Sequence, residues 1–485
     1  MKEKKHPVLE RLIPRPRKID IKNTICKTAE LKAITICTKT TNTEQKFAEF
    51  FQKYFQTSIP VVTSNKAKDL PKEGYQLKIT DKEIIVYFND TDGMLNALKT
   101  MRQLSETLPG NMRCFPAVTI EDWPARNFRG IHFCVFPETK IVDLEKNLRL
   151  AAYHKYNYAV IEFWGTFPFE SHPEFCWSDM KLNRLELKRI LTQIRELGLT
   201  PIPQFNILGH ATASRAISGK HAYLYNHPEH FELFEPTLWS WCMSNPKTRS
   251  ILKDLVLELH DFFDSPPYFH IGCDEAEDLA TCHTCHSQHL PDLLSDYLNE
   301  FYTLFKAKNT KLIMWHDMLL LRDDPRWNKF QASSHRLEMQ DFVKKLPKDI
   351  MIADWEYGIP PASERPAGFP TTDYFISEGF ETVICPWDNE DDINSMCLYS
   401  KEGNSIGILL TTWHHLSGLK YTNFMLAGAY AVWNPYDNPK TTLMGRLATN
   451  RHMLEITQDM NLTFYKDSGY VENQIPANNH PHPLY

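Results

Sequence analysis

No stretch of this 485-residue chain approaches the roughly 18 consecutive apolar residues that a membrane-spanning helix needs, which excludes a helical span as a reading. Glycine-rich phosphate loops are also missing, which removes the usual mark of a nucleotide-binding, doubly wound sheet. Neither sign of charge dominates. Lys and Arg total 54 against 60 Asp and Glu, so the basic footprint of a nucleic-acid binder is lacking. The one basic stretch, Lys2 to Lys22, is interrupted by Glu3, Glu10 and Asp20 and reads as a solvated leader. Met1 to Pro7 has basic residues with no apolar segment behind them, so no secretory signal is expected and the chain is placed in the cytoplasm. The 11 cysteines are odd in number and scattered, which argues against a disulfide framework. Cys26, Cys37, Cys114, Cys134 and Cys385 lie mostly in apolar runs, where buried free thiols are common, as in a reducing compartment. Internal repeats are absent, and the only biased segment is the Asn/His/Pro-rich tail, Asn473–Tyr485.

What remains has a globular composition, 42% hydrophobic and 24% charged, and too much length for one ordinary domain. Residues 1–125 read as a small α+β domain. Leu31–Cys37 is strand-like, Thr43–Phe55 helical, Tyr75–Thr80 and Glu83–Tyr87 a hairpin, and Thr91–Thr107 a helix with Met94, Leu95, Leu98, Met101 and Leu104 on one face. Pro116–Pro124 reads as a linker around a short apolar run. Beyond it the pattern changes, and short apolar runs alternate with amphipathic stretches. The runs are Gly130–Phe136, Tyr156–Trp164, Thr200–Asn206, Tyr268–Cys273, Lys311–Trp315, Ile350–Trp355, Thr382–Pro386 and Ile406–Trp413. Eight such runs predict an α/β fold, a (β/α)8 barrel over 126–450, followed by a tail at 451–485. The helix over Leu185–Leu197 carries an apolar stripe and ends at Gly198; the next begins at the Asn245-Pro246 cap.

In such a barrel the chemistry sits where strands end. Strand four ends in His270-Ile-Gly-Cys-Asp274-Glu275, five in Trp315-His316-Asp317, six in Asp354-Trp355-Glu356-Tyr357, seven in Trp387-Asp388 and eight in Trp413-His414-His415. Tryptophan at four successive strand ends, beside carboxylates, suits stacking on a sugar ring and hydrogen bonding to its hydroxyls; structural closure of the barrel end is the other reading. Two adjacent carboxylates on one strand rarely reach opposite sides of a sugar ring. They can share one side, with Glu275 protonating the leaving oxygen and Asp274 orienting a substrate group that itself attacks the anomeric carbon. A 2-acetamido group is the natural internal nucleophile.

At these residues the sequence resembles glycoside hydrolase family 20. His270-Ile-Gly-Cys-Asp-Glu275 is similar to the family's His-x-Gly-x-Asp-Glu motif, and Ile120 to Gly130 to the passage joining its small domain to the barrel. Leu208-Gly-His210 resembles the Pro-Gly-His at strand three. Met314-Trp-His-Asp-Met318 and Trp355-Glu-Tyr357 look like the shorter hexosaminidase D-type branch. The likeness covers roughly Tyr75 to Pro439 and implies a retaining exo-β-N-acetylhexosaminidase acting on a glycan or glycoconjugate, with no cofactor. It implies that Asp274 polarises the acetamide N–H and Glu275 is the acid/base. Trp315, Trp355 and Trp413 would wall the subsite, Tyr357 would hydrogen-bond the acetamide oxygen, and His210 would join a polar network near the pair; a core histidine is the other reading of His210.

The chain departs from the family where strands one and two end. Cys134 and Pro137 stand where the family has Asp and Arg, and Trp164-Gly165 where acidic residues are usual. Glu162 and Asp388 are candidate substitutes for sugar binding, and a barrel-interior ion pair reads Glu162 equally well. Three rival readings follow: a glycosidase of other sugar specificity, a non-catalytic glycan-binding protein on a degenerate barrel, and a metal in the loop after the catalytic pair. The last would use Cys282 and Cys285, completed by Cys273 or a histidine.

Overall fold

The structure is a computed structural model and describes residues 8–41, 43–109, 112–212, 221–327, 330, 332–357, 369–399, 405–413, 416, 422–434 and 443–462. His414, His415 and the tail at 473–485 lie outside these residues. A first sheet is built from β1 (Lys18–Lys27), β2 (Ile34–Cys37), β3 (Val61–Ser64), β4 (Tyr75–Ile79), β5 (Ile84–Phe88), β6 (Glu106–Leu108) and β7 (Met112–Asp122). Its order is β1-β7-β4-β5-β2-β3, with β6 beside β7. Helices Thr43–Phe55 and Thr91–Leu104 complete this α+β unit. The second helix starts sharply because Asp90 caps it, accepting the N–H of Gly93 at 2.6 Å.

Two expectations fail here. Lys18–Lys22, expected to end a solvated leader, opens the edge strand Lys18–Lys27 paired antiparallel to β7, and Leu12 and Ile13 just before it are buried. Its exposed lysines are what an edge strand carries to discourage further pairing, so it reads as solvated by composition. Pro116–Pro124 is no linker either. Pro116 sits inside the 11-residue β7, opposite Ile25, just past a register shift in β1. A proline cannot donate to a sheet ladder, and the irregular register beside it accommodates that.

Eight parallel strands close a barrel: β8 (Phe128–Val135), β9 (Tyr158–Phe163), β10 (Thr200–Gln204), β11 (Tyr268–His270), β12 (Lys311–Trp315), β13 (Met351–Asp354), β14 (Thr382–Ile384) and β15 (Gly407–Leu410), with β15 paired back to β8. All eight coincide with the apolar runs. Phe128, Val160, Ile202, Ile313, Met351, Val383 and Leu409 fill the interior as a cluster separate from the larger core outside. Helices pack around it, including Ile141–Tyr153, Arg184–Glu196, Pro246–Phe262 and Leu290–Lys306. Between β12 and β13 the described residues form only short 3-10 turns. No helix among the described residues is long and apolar enough to cross a membrane.

The sheet and the barrel meet through buried polar groups. Asp122, at the end of β7, accepts from Tyr75 Oη at 2.7 Å and Trp433 Nε1 at 2.9 Å, and lies 3.1 Å from Lys155 Nζ. Arg129 of β8 pairs with Glu73 in the same buried seam. The helix Leu443–Asp459 closes the other side: Asp459 takes both terminal nitrogens of Arg102, at 2.7 and 3.0 Å. This helix spans residue 450, where a boundary was expected.

Candidate active site

After His270 the chain leaves the barrel through an unusual backbone. Gly272, Cys273 and Glu275 have φ values of 67°, 75° and 45°, and His210 across from them has 53°. Non-glycine residues pay of order 1–3 kcal/mol each for such conformations, which persist where the surroundings over-determine them. Asn206, just past β10, supplies the constraint. Its Oδ1 accepts the N–H groups of Leu208 at 3.2 Å and Cys273 at 3.0 Å, and its Nδ2 donates to Asp274 Oδ1 at 2.5 Å. A Cβ at Gly272 would stand 2.5 Å from Asn206 Cγ, so glycine is required there.

The result holds two carboxylates side by side. His210 Nε2 lies 3.1 Å from Asp274 Oδ2 and 3.5 Å from Glu275 Oε2. Asp274 is buried, whereas the Glu275 side chain keeps about 20% of its surface open, enough to meet a substrate. The Glu275 backbone is gripped from both sides: its N–H donates to Asp317 Oδ2 at 2.9 Å, and its carbonyl accepts from Trp239 Nε1. The Trp239 ring also lies 4.5 Å from His210. Burial, then the charge of Asp274, raises the Asp317 carboxyl above the usual carboxylate range.

Gly209 touches this arrangement directly. A Cβ there would meet the carbonyl oxygen of Asp274 at 2.1 Å. Gly209→Ala must therefore displace the Asp274-Glu275 strand end, and kcat/KM is expected to fall by about 10²-fold or more, the cost of an ångström-scale misplacement. Unchanged steady-state kinetics in a folded variant would refute the contact.

The aromatic wall forms one connected system. Trp413 Nε1 donates to Tyr357 Oη at 2.8 Å; Tyr357 Oη is 2.9 Å from Thr411 Oγ1, which itself donates to the Pro386 carbonyl at 2.9 Å. Trp355 and Trp387 flank the Tyr357 ring, each with its centroid at 5.2 Å. Trp355 Nε1 reaches Asp317 Oδ1 at 3.3 Å, joining the wall to the carboxylates. Burial pushes the Tyr357 phenol well above its ordinary range, so it remains a proton donor. Trp315 is placed differently from an open platform. It is fully buried, 4.4 Å from the His270 ring and 5.9 Å from Trp413, and supports the wall from beneath.

Two further candidates separate. Glu162 is buried inside the barrel mouth, accepting from Trp164 Nε1 at 3.0 Å and Gln204 Nε2 at 2.9 Å, with Cys134 Sγ at 3.7 Å. Among the described residues its nearest cationic candidate is His132, whose Nε2 lies 3.9 Å from Glu162 Oε2. Asp388 is exposed in the loop after β14, next to Trp387. Cys273 does not join Cys282 and Cys285: its Sγ turns toward the Ile271 carbonyl at 3.5 Å, while the other two lie with Cys242 and Glu235. No role was read from sequence for Asn206 or Trp239, and Asp317 was named only as part of a strand end. Asn206 and Asp317 ended or followed predicted strands, a signal that was available; nothing marks Trp239.

Behind the wall, His316 is enclosed with Asp354 at 3.3 Å and Glu356 at 3.0 Å. Burial alone would lower its pKa, but the charges of Asp354 and Glu356 outweigh it and raise the value from 6.5 to about 9. A raised folded pKa gives stability that is complete below the unfolded value and lost as pH climbs through the folded one, here on the order of 3 kcal/mol between about pH 6.5 and 9. The unfolding free-energy gap between wild type and His316→Gln, from denaturant titrations, is expected to shrink by about that amount across the window. A pH-independent gap would exclude His316 as the titrating group.

The closed eight-stranded barrel, with an acidic pair and an aromatic wall at one mouth and an α+β unit before it, defines a glycosidase-like architecture. The chain matches the descriptions "Glycosyl hydrolase family 20, domain 2" over residues 10–123 and "Glycosyl hydrolase family 20, catalytic domain" over 180–363. It belongs to glycoside hydrolase family 20. Among curated proteins it is 21% identical over 318 residues to beta-hexosaminidase 1 of Coccidioides posadasii, covering 59% of this chain and 50% of that one. It is 23% identical over 289 residues to a beta-hexosaminidase of Akkermansia muciniphila, covering 53% and 56%. The chain thus spans about half the length of the curated relatives it matches. The fold is shared with a chitobiase of Flavobacterium johnsoniae (TM-score 0.68, 17% identity, 94% of this chain and 74% of that one). A β-N-acetylhexosaminidase of Bacteroides fragilis is equally similar (TM-score 0.68, 19% identity, 92% and 96%).

Proposed function

We propose that the chain is a retaining exo-β-N-acetylhexosaminidase that removes terminal β-linked N-acetylglucosamine or N-acetylgalactosamine from a glycan or glycoconjugate. The observation that carries this reading is the fixed pair: Asp274 buried and tied to Asn206, Glu275 beside it and partly open, with His210 between their oxygens. Carboxylates on neighbouring residues of one strand end share one side of a bound ring. They do not flank it at the roughly 5 Å separation a two-carboxylate retaining mechanism uses. The second nucleophile is then the substrate's own acetamide oxygen.

In this mechanism Glu275 gives its proton to the glycosidic oxygen. Asp274 accepts the acetamide N–H, which drives electron density onto the acetamide oxygen as it attacks the anomeric carbon. Tyr357, whose hydroxyl stays protonated, turns its O–H from Thr411 to that oxygen. Glu275, now a base, takes a proton from water, which opens the cyclic intermediate with overall retention. Relatives bearing the name beta-hexosaminidase support the reading. A second reading, a glycosidase of different sugar preference, is favoured by one observation. Cys134 and Glu162 contact each other at the barrel mouth, where the family resemblance implies an aspartate and an acidic strand-two ending.

Release of nitrophenol from the β-N-acetylglucosaminide, β-N-acetylgalactosaminide, β-glucoside and β-galactoside tests both. Turnover of the acetamido substrates alone is expected. Turnover of a plain glycoside in preference would favour the second reading, and no turnover of any of the four would overturn the first.

A further inference from the structure

Outside the acidic pair the structure gathers four metal-ligating side chains from two loops. Cys242 Sγ lies 3.7 Å from Cys282 Sγ and 3.6 Å from Cys285 Sγ, and a carboxylate oxygen of Glu235 joins them, all four donor atoms within 4.8 Å of one another. We propose that Cys242, Cys282, Cys285 and Glu235 form a structural zinc site that fastens the loop after the catalytic pair to the segment 235–242.

The spacing fits a tetrahedral ion. With zinc–sulfur bonds of about 2.3 Å, the edge between two sulfurs of a tetrahedron is about 3.8 Å. Two sulfurs come from a Cys-x-x-Cys turn, in which Cys282 Sγ accepts the Cys285 N–H at 3.4 Å. The carboxylate is an independent observation. Glu235 is fully buried, and among the described residues it forms no ion pair. Its Oε2 accepts the Cys282 N–H at 2.6 Å, while Oε1 is buried with no hydrogen-bond partner. A buried polar oxygen without a partner is costly, and a cation among the three sulfurs supplies the missing ligand.

Three sulfurs and one oxygen select a borderline-soft ion such as zinc over magnesium or calcium, which take oxygen sets. Four protein donors leave no open position, so the ion is structural and not catalytic. Outer groups match as well. Gln288 Nε2 and the Cys285 thiol both donate to Ser244 Oγ, at 2.8 and 3.0 Å; once the thiol loses its proton to the ion, the serine O–H is free to turn to the sulfur. On binding, the three thiols release their protons to solvent and no electrons move. The same two segments are joined elsewhere, by Trp239 to the Glu275 carbonyl and by Thr237 Oγ1 to Asp278 Oδ2 at 2.5 Å. The ion therefore braces the segment that grips the Glu275 backbone.

The test uses the full chain, purified without a metal-affinity tag, kept reduced, equilibrated with zinc and then freed of excess. Elemental mass spectrometry is expected to find about one zinc per chain, falling at least tenfold in Cys242→Ser and in Cys285→Ser but not in Cys176→Ser, a buried thiol outside the cluster. Cobalt(II) in place of zinc should give a thiolate-to-metal charge-transfer band, lost in Cys285→Ser. Should the cluster variants fail to fold, wild type alone decides: alkylation of Cys242, Cys282 and Cys285, mapped by peptide mass, should be blocked by zinc and restored by a chelator. The proposal is overturned if the folded wild type retains less than about a tenth of an equivalent of zinc, if zinc leaves the alkylation rates unchanged, or if two of the three sulfurs are joined as a disulfide in the reduced preparation.

Discussion

Glu275→Gln is expected to lower kcat by about 10²–10⁴-fold, the usual contribution of a positioned general acid. The amide keeps the size of the side chain, and the backbone holds that fix it run through its N–H to Asp317 and its carbonyl to Trp239, which the substitution leaves intact. Thermal stability should therefore change little. The loss should also depend on the leaving group. A nitrophenolate departs without much help, whereas a sugar alkoxide needs the proton, so the deficit should be larger on a disaccharide than on the aryl glycoside. Rates within about tenfold of wild type on the disaccharide would remove Glu275 from the acid role.

Asp274→Asn should cost about 10²–10³-fold in kcat on acetamido substrates, the scale of losing one preorganised electrostatic contact to the transition state. Two effects add. The amide no longer draws the acetamide N–H as a carboxylate does, and an NH2 in place of Oδ1 would face the Asn206 Nδ2 that donates to Asp274 at 2.5 Å. A substrate series separates participation from simple misplacement. Fluorinating the N-acetyl methyl weakens the acetamide oxygen as a nucleophile, so wild-type kcat should fall steeply along the series while the variant's responds less. A flat wild-type response, or wild-type kinetics in Asp274→Asn, would sink the substrate-assisted mechanism.

The barrel was legible because its strands are buried on both faces and so read as mostly apolar runs, from Phe128–Val135 to Gly407–Leu410, with buried exceptions such as Arg129 and His132. The edge strand Lys18–Lys27 was not, since exposure on an edge lets polar residues dominate, and Pro116 hid β7 because a proline normally argues against a strand. In the site, the Asp274-Glu275 pair and the Trp413–Tyr357 wall followed from strand-end position. What holds them did not. Asn206 acts 68 residues away on Asp274, and Trp239 36 residues away on Glu275, through side chains whose reach no local pattern encodes. The thiol cluster shows the same limit: Cys282 and Cys285 announce themselves by spacing, whereas Cys242 and Glu235 arrive only through the folding of a separate loop.

The buried seam around Asp122 bears on how this molecule comes apart. Tyr75 belongs to the small sheet, while Lys155 and Trp433 belong to the barrel, yet all three converge on one carboxylate. Pulling the two bodies apart strands a charge on each side and undoes the arginine clasp on the helix Leu443–Asp459 as well. Heat should accordingly melt them in a single calorimetric transition, and a chimera that exchanges the small sheet between relatives should survive only if Lys155 and Trp433 travel with it.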